Sequence, residues 1–339
     1  MAFQLLLQRG WILPDMNLKY RFVLLMLASL FAISANGAPL AFSVNSDSGN
    51  SETEDSLYVI NLETGIDQRV ARLFNGIENR TDTEGLAISP SQQLWGIDDD
   101  SGTLFLINPE SAAVDYNEEI ALNSLSLSGF PAEEGNDFGM TFSCDNELYI
   151  TSVRTRSLYR VNLESGESEV VGTSGALGAN ISAIASIGNP TKLYGLGNGQ
   201  FQNGETDSPN LYSIDTETGV ATMIGALGSE AGEYNQGGLA FDNDGFLWAI
   251  TDRRIINNSI ANLPSQILKI DTTTGIASLI ATTREVGFES LAITAPTNCA
   301  LKADLEEFAG IPSLNQAGRI LAILLLMLAG IMVLRQRLS

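Results

Sequence analysis

A five-bladed β-propeller, an all-β fold, is what this sequence of 339 residues predicts. Three observations carry the prediction: one unit recurs along the chain, each unit holds four short β-type runs, and glycine turns punctuate the units at near-constant spacing. Internal repetition at a period of about 50 residues, with four strands per period, fits propeller blades better than a solenoid or a sandwich.

The units align as follows. Glu84-Gly-Leu-Ala-Ile is followed by Leu94-Trp-Gly-Ile and Leu104-Phe-Leu-Ile. Gly139-Met-Thr-Phe is followed by Leu148-Tyr-Ile and Leu158-Tyr-Arg-Val. Ala183-Ile-Ala-Ser leads to Leu193-Tyr-Gly-Leu and Leu211-Tyr-Ser-Ile, and Gly238-Leu-Ala-Phe leads to Leu247-Trp-Ala-Ile and Ile267-Leu-Lys-Ile. A fifth unit is split between the ends: Ser290-Leu-Ala-Ile lies late in the chain, Leu40-Ala-Phe-Ser-Val and Leu57-Tyr-Val-Ile early. The C-terminal strand therefore closes blade 1 without a covalent staple. A degenerate sixth blade is the alternative count.

Local chemistry justifies each strand position. Inner strands crowd the axis, so Gly85, Ala87, Ala240 and Ala292 are small. Trp95, Tyr149, Tyr194 and Trp248 on the second strands read as packing between blades. Gly65, Gly166, Gly219 and Gly275 supply the turn between strands three and four, where positive φ is cheap only for glycine. Those turns are minimal. On the opposite face the stretches Asn45–Ser56, Asn123–Asp137, Gly197–Asn210 and Asp252–Ser265 read as long loops, which is where binding usually sits on a rigid scaffold.

Composition removes whole classes of function. There is no histidine, so triads, imidazole shuttles and His-ligated metals are excluded. Two cysteines, Cys144 and Cys299, cannot form a thiolate zinc site. They fall on non-neighbouring blades, so a bridge after export would need the segment after Thr294 to cross the hub, and the unbridged state is the more expected of the two. The net charge of −22 argues against nucleic acid. Residues 1–37 carry +2 and residues 319–339 carry +3, leaving −27 in the body.

The basic, apolar ends read as targeting segments. Met16-Asn-Leu-Lys-Tyr-Arg21 precedes the apolar run Phe22–Ile33 and the small residues Ser34–Gly37, the layout of a signal peptide over residues 1–37 with its start at Met16. The propeller then spans 38–298 and a linker 299–310. Ile320–Leu334 is an apolar run of 15 residues between arginines, about 22 Å as a helix against a hydrocarbon core of ~30 Å. It reads as a transmembrane helix with the arginines cytoplasmic.

The order Ile311-Pro312-Ser313-Leu314-Asn315-Gln316-Ala317-Gly318, apolar helix, arginine cluster resembles an IPTL-CTERM sorting signal of the PEP-CTERM class. Ser313 stands where threonine is usual, and Ala317 where tryptophan is common. The resemblance covers residues 311–339 and implies handling by a membrane-bound exosortase-type enzyme. It also implies delivery to the envelope or extracellular matrix of a Gram-negative bacterium.

Acids remain the candidate chemistry. Glu84 and Glu289 take equivalent positions ahead of inner strands and should meet at the channel mouth. A carboxylate pair there can hold a cation or act as acid and base on a glycoside. Asp137 and Asp252 join them on the long-loop face. Asp98-Asp99-Asp100-Ser101-Gly102 offers oxygen ligands for Ca²⁺, with Asp98 and Asp100 as the metal candidates, or is simply a solvated turn. The reading is an exported, non-catalytic binding or adhesion module for a glycan or protein ligand. The alternative is a carboxylate-dependent glycosidase or lyase, and a third class is a purely structural matrix protein.

Overall fold

The structure, a computed structural model, describes residues 38–46, 48–74, 83–98, 101–114, 125–131, 137–199, 209–256 and 259–299. The signal segment, the sorting motif Ile311–Leu314, the run 320–334 and Asp100 lie outside the described residues. Among the described residues every regular element is a strand.

Five antiparallel sheets form the five blades. Blade 1 holds β1 (Leu40–Val44), β2 (Ser56–Asn61) and β3 (Asp67–Arg72). Blade 2 holds β4 (Thr83–Ile88), β5 (Leu94–Asp98), β6 (Thr103–Ile107) and β7 (Leu125–Ser126). Blade 3 holds β8 (Phe138–Phe142), β9 (Leu148–Ser152), β10 (Ser157–Val161) and β11 (Ser168–Val170). Blade 4 holds β12 (Ile181–Ile187), β13 (Lys192–Gly197), β14 (Asn210–Ile214) and β15 (Ala221–Ala226). Blade 5 holds β16 (Gly237–Phe241), β17 (Leu247–Ile256), β18 (Ser259–Ile270) and β19 (Ala277–Thr282).

Crowding at the hub explains the small inner residues. A Cβ on Gly139 would lie 2.8 Å from the Ala183 backbone of the next blade, and one on Gly238 would collide with the Leu291 backbone. Further out, the core divides into five clusters, one between each pair of neighbouring blades. The second-strand aromatics fill them as expected. Trp95 meets Phe142 of blade 3 with ring centroids 6.1 Å apart, and Tyr194 meets Phe241 of blade 5 at 5.5 Å. Aromatic pairs of this kind add about 0.5–1.5 kcal/mol beyond their buried area.

The seam between blades 5 and 1 closes as the split repeat predicts. Phe42 N donates to Ala292 O at 2.7 Å and Ala292 N to Phe42 O at 2.9 Å. This pairing is an isolated bridge. Ser43 Oγ donates to Ser290 O, and Val44 N to Ser290 Oγ. At the outer edge Asp67, 2% exposed, accepts the backbone N–H groups of Arg284 and Glu285 together with the Arg284 guanidinium. A buried carboxylate needs such a full set of donors.

Three expectations are corrected. Cys144 and Cys299 are bridged, with Cα atoms 5.3 Å apart across a sequence separation of 155 residues. The segment after Thr294 does cross the hub: Thr294 Oγ1 donates to Asn243, Thr297 Oγ1 to Asp242 O, and Gly188 N to Thr297 O. That path over blades 5 and 4 brings Cys299 to the blade 3 turn holding Cys144. Closing so long a loop stabilises by about 5 kcal/mol in the chain-entropy account. Next, Asp252–Ser265 is not a loop: β17 and β18 pair out to Ile256 and Ser259, making a projecting hairpin. Finally, Asn123–Asp137 contains β7, because the outer strand of blade 2 is split between the Val114 bridge to Ile107 and β7 on β6.

The strand three-to-four turns share one hydrogen-bonded box. Asn61, Asn108, Asn162, Asp215 and Asp271 each accept two following backbone N–H groups through Oδ1. Gly65, Gly166, Gly219 and Gly275 close four of the boxes at positive φ, and Ala112 closes the fifth at φ 58°. The N–H groups of Thr218 and Glu217 hold the Asp215 carboxyl below its ordinary value, and those of Thr273 and Thr274 do the same to Asp271. A lowered folded pKa stabilises above the unfolded value and is lost as pH falls through the folded one. The double change Asp215→Asn, Asp271→Asn should therefore lower the urea midpoint near pH 5. The gap to the parent should close by about pH 2; a gap that persists there would contradict the assignment.

Candidate functional site

The channel mouth on the long-loop face is assembled by two β-bulges. The register of β4 on β5 slips between Thr83 and Gly85, at Glu84, and that of β12 on β13 slips between Ile181 and Ala183, at Ser182. A bulge re-aims the side chain it carries. Here Glu84 and Ser182 line the same stretch of channel as Glu289, which the closing segment brings in from blade 1. All three are buried, at 7%, 3% and 2% exposed.

Neutral donors hold the two carboxylates. Gln236, just ahead of β16, donates through Nε2 to Glu84 Oε1 at 3.3 Å. Ser46 donates to Glu289 Oε2 at 3.1 Å and lies 3.4 Å from Thr83 O, so it bridges the two glutamate-bearing segments. Ser182 Oγ and Gln236 Oε1 are buried with no hydrogen-bond partner among the described residues. The stretch that these three residues line is narrow, with about 10 Å³ in which a water's centre fits. At the other end the channel is lined by Ile293–Pro296, the segment that crosses the hub.

Of the candidates read from sequence, Glu84 and Glu289 come together. Asp252 is fully buried and joins them indirectly: its N–H donates to Gln236 O, while its Oδ1 accepts the Arg254 N–H. Asp137 sits half-buried at the start of blade 3 and holds the Val153 N–H through its carbonyl. Asp98 is buried at the end of β5. Its Oδ1 accepts both N–H and Oγ–H of Ser101, which makes it the cap of its own turn. Among the described residues no group of three Asp, Glu, Cys or His side chains comes together to hold a metal ion.

Arg253 donates to Glu233 O, and burial lowers its pKa. The Arg254 guanidinium reaches Gly49 in the blade 1 loop, and Arg156 donates to Asn180 Oδ1. Ser46 and Gln236 are the residues that sequence reasoning missed. The register of β1 against the closing segment places Ser46 beside Glu289, and Gln236 stands one residue ahead of the blade 5 inner strand.

No family model and no curated protein matches this chain. Solved structures with a similar course exist at low identity. One is a catalytically inactive virginiamycin B lyase from Staphylococcus aureus with quinupristin, at 17% identity, covering 72% of this chain and 71% of that one, TM-score 0.38. Another is a protein of unknown function from Bacteroides caccae, at 10% identity, covering 75% and 98%, TM-score 0.45. Kuenenia stuttgartiensis hydrazine synthase matches at 13% identity, covering 70% and 64%, TM-score 0.37. The five-bladed assignment rests on this chain's own strand pairing.

A double-mutant cycle checks the mouth. Gln236→Leu should cost about 1.5–3 kcal/mol, the range for a hydrogen bond to a charged group. In a Glu84→Gln background the same change should cost less, because the bond no longer has a charged acceptor. Additive costs in urea denaturation would show that the pair is not coupled.

Proposed function

We propose that this protein is an exported, non-catalytic binding propeller of a Gram-negative envelope or matrix. It is delivered by its N-terminal signal and its IPTL-type tail, and its long-loop face meets an extracellular glycan or protein. The single observation that supports export independently of the ends is the Cys144–Cys299 disulfide. Bridges of this kind persist in oxidising compartments and are reduced in the cytoplasm. A reading as binding module rather than enzyme is favoured by the state of the carboxylates. Glu84 and Glu289 already accept hydrogen bonds from Gln236 and Ser46, in a narrow stretch of the channel.

A glycosidase or lyase is the second reading, and one observation keeps it: two buried carboxylates from different blades share one mouth. Acid–base work on a glycoside needs such a pair.

Acid-trapped cells of the native host, treated with a maleimide polymer before and after reduction, test the first claim. The full-length protein should gain no adduct before reduction and two after it, in an extracytoplasmic fraction. Two adducts before reduction would contradict export. On polysaccharide panels binding without turnover is expected. Turnover that Glu84→Gln abolishes would replace this reading with the second.

A further inference from the structure

One continuous segment, residues 288–299, runs through the hub from face to face. At the long-loop end Glu289 holds Ser46 beside Glu84's strand. At the short-turn end Cys299 is bonded to Cys144. Between them the segment pairs with β1 through the isolated Phe42–Ala292 bridge, a long Glu289 N to Val44 O bond of 3.4 Å and two bonds that use the Ser43 and Ser290 hydroxyls. Beyond Ala292, side-chain and backbone contacts to Asn243, Asp242 and Gly188 guide it to the cysteine. Segments with few backbone bonds open locally at low cost.

We propose that the Cys144–Cys299 disulfide is a lock on this segment, so that the redox state at one face governs the carboxylate mouth at the other. Oxidised, the segment is pinned at its far end and Glu289 stays seated against Ser46. Reduced, it loosens from Cys299 back through the bridge to Glu289, while blades 5 and 1 remain joined at Asp67 and Arg284. The lock closes by thiol–disulfide exchange. Two thiols lose two protons and two electrons, and an oxidised dithiol partner takes up both and leaves as the dithiol. The chain thus gains its finished mouth only on reaching an oxidising compartment. This regulation rests on the binding reading for its consequence, but the lock itself needs neither export nor a ligand.

Amide hydrogen exchange on the full-length protein, oxidised and after reduction with a phosphine, tests it. The Phe42 and Ala292 amides, which make the bridge, should exchange at least 10-fold faster after reduction. The Arg284 and Glu285 amides, held by Asp67 outside the locked segment, should not change. Cys299→Ser without reductant should reproduce the pattern. Unchanged exchange at Phe42 and Ala292 would overturn the lock. So would an equal acceleration in all five blades, which would mark the disulfide as a general staple.

Discussion

Steric crowding where five inner strands meet at the axis governs the rest of this molecule. With backbones that close, side chains at the points of closest approach must be small, as the contacts of Gly139 on Ala183 and Gly238 on Leu291 show. The bulk of the core is displaced outward into five inter-blade clusters. Each blade is then held by its neighbours rather than by itself. A ring of this kind is stable only if the last blade reaches the first, and hydrophobic burial at every interface depends on that one closure.

Closure is built in layers at the blade 5–blade 1 seam. Asp67 and Arg284 tie the outer edge, a shared apolar cluster that includes Phe288 and Trp248 fills the middle, and the Phe42–Ala292 bridge completes the hub. The disulfide lies on the short-turn face and the carboxylate mouth on the long-loop face. The same few residues connect them, so the part that finishes the fold also finishes the site.

Much of the fold was legible because repetition imposes it. The GLAI-type inner strands, the aromatics of the second strands and the turn glycines recur with the blade, and the structure places them as their periodicity implies. Glu84 and Glu289 were legible too, as equivalent positions ahead of inner strands. Departures from the repeat were hidden. Bulges at Glu84 and Ser182 leave no mark on the hydrophobic pattern. Gln236 and Ser46 are ordinary polar residues until blades from opposite ends of the chain are brought together. The Cys144–Cys299 bridge was the less expected state because blade positions alone do not show whether the segment after Thr294 crosses the hub. Asp252–Ser265 read as a loop because polar residues and Pro264 interrupt its alternation, yet β17 and β18 pair through it with register shifts.

The central claim is a five-bladed ring closed by pairing of the C-terminal segment with β1, and a placed cross-link tests it most directly. Phe42→Cys and Ala292→Cys are introduced together in a chain that keeps the Cys144–Cys299 bridge. Opposed residues that exchange both backbone hydrogen bonds lie about 5.5 Å apart at Cα, within disulfide range. Non-reducing peptide mapping should then show an intramolecular link between the peptides holding residues 42 and 292. Absence of that link, or a link only between separate molecules, would contradict the closed five-bladed ring.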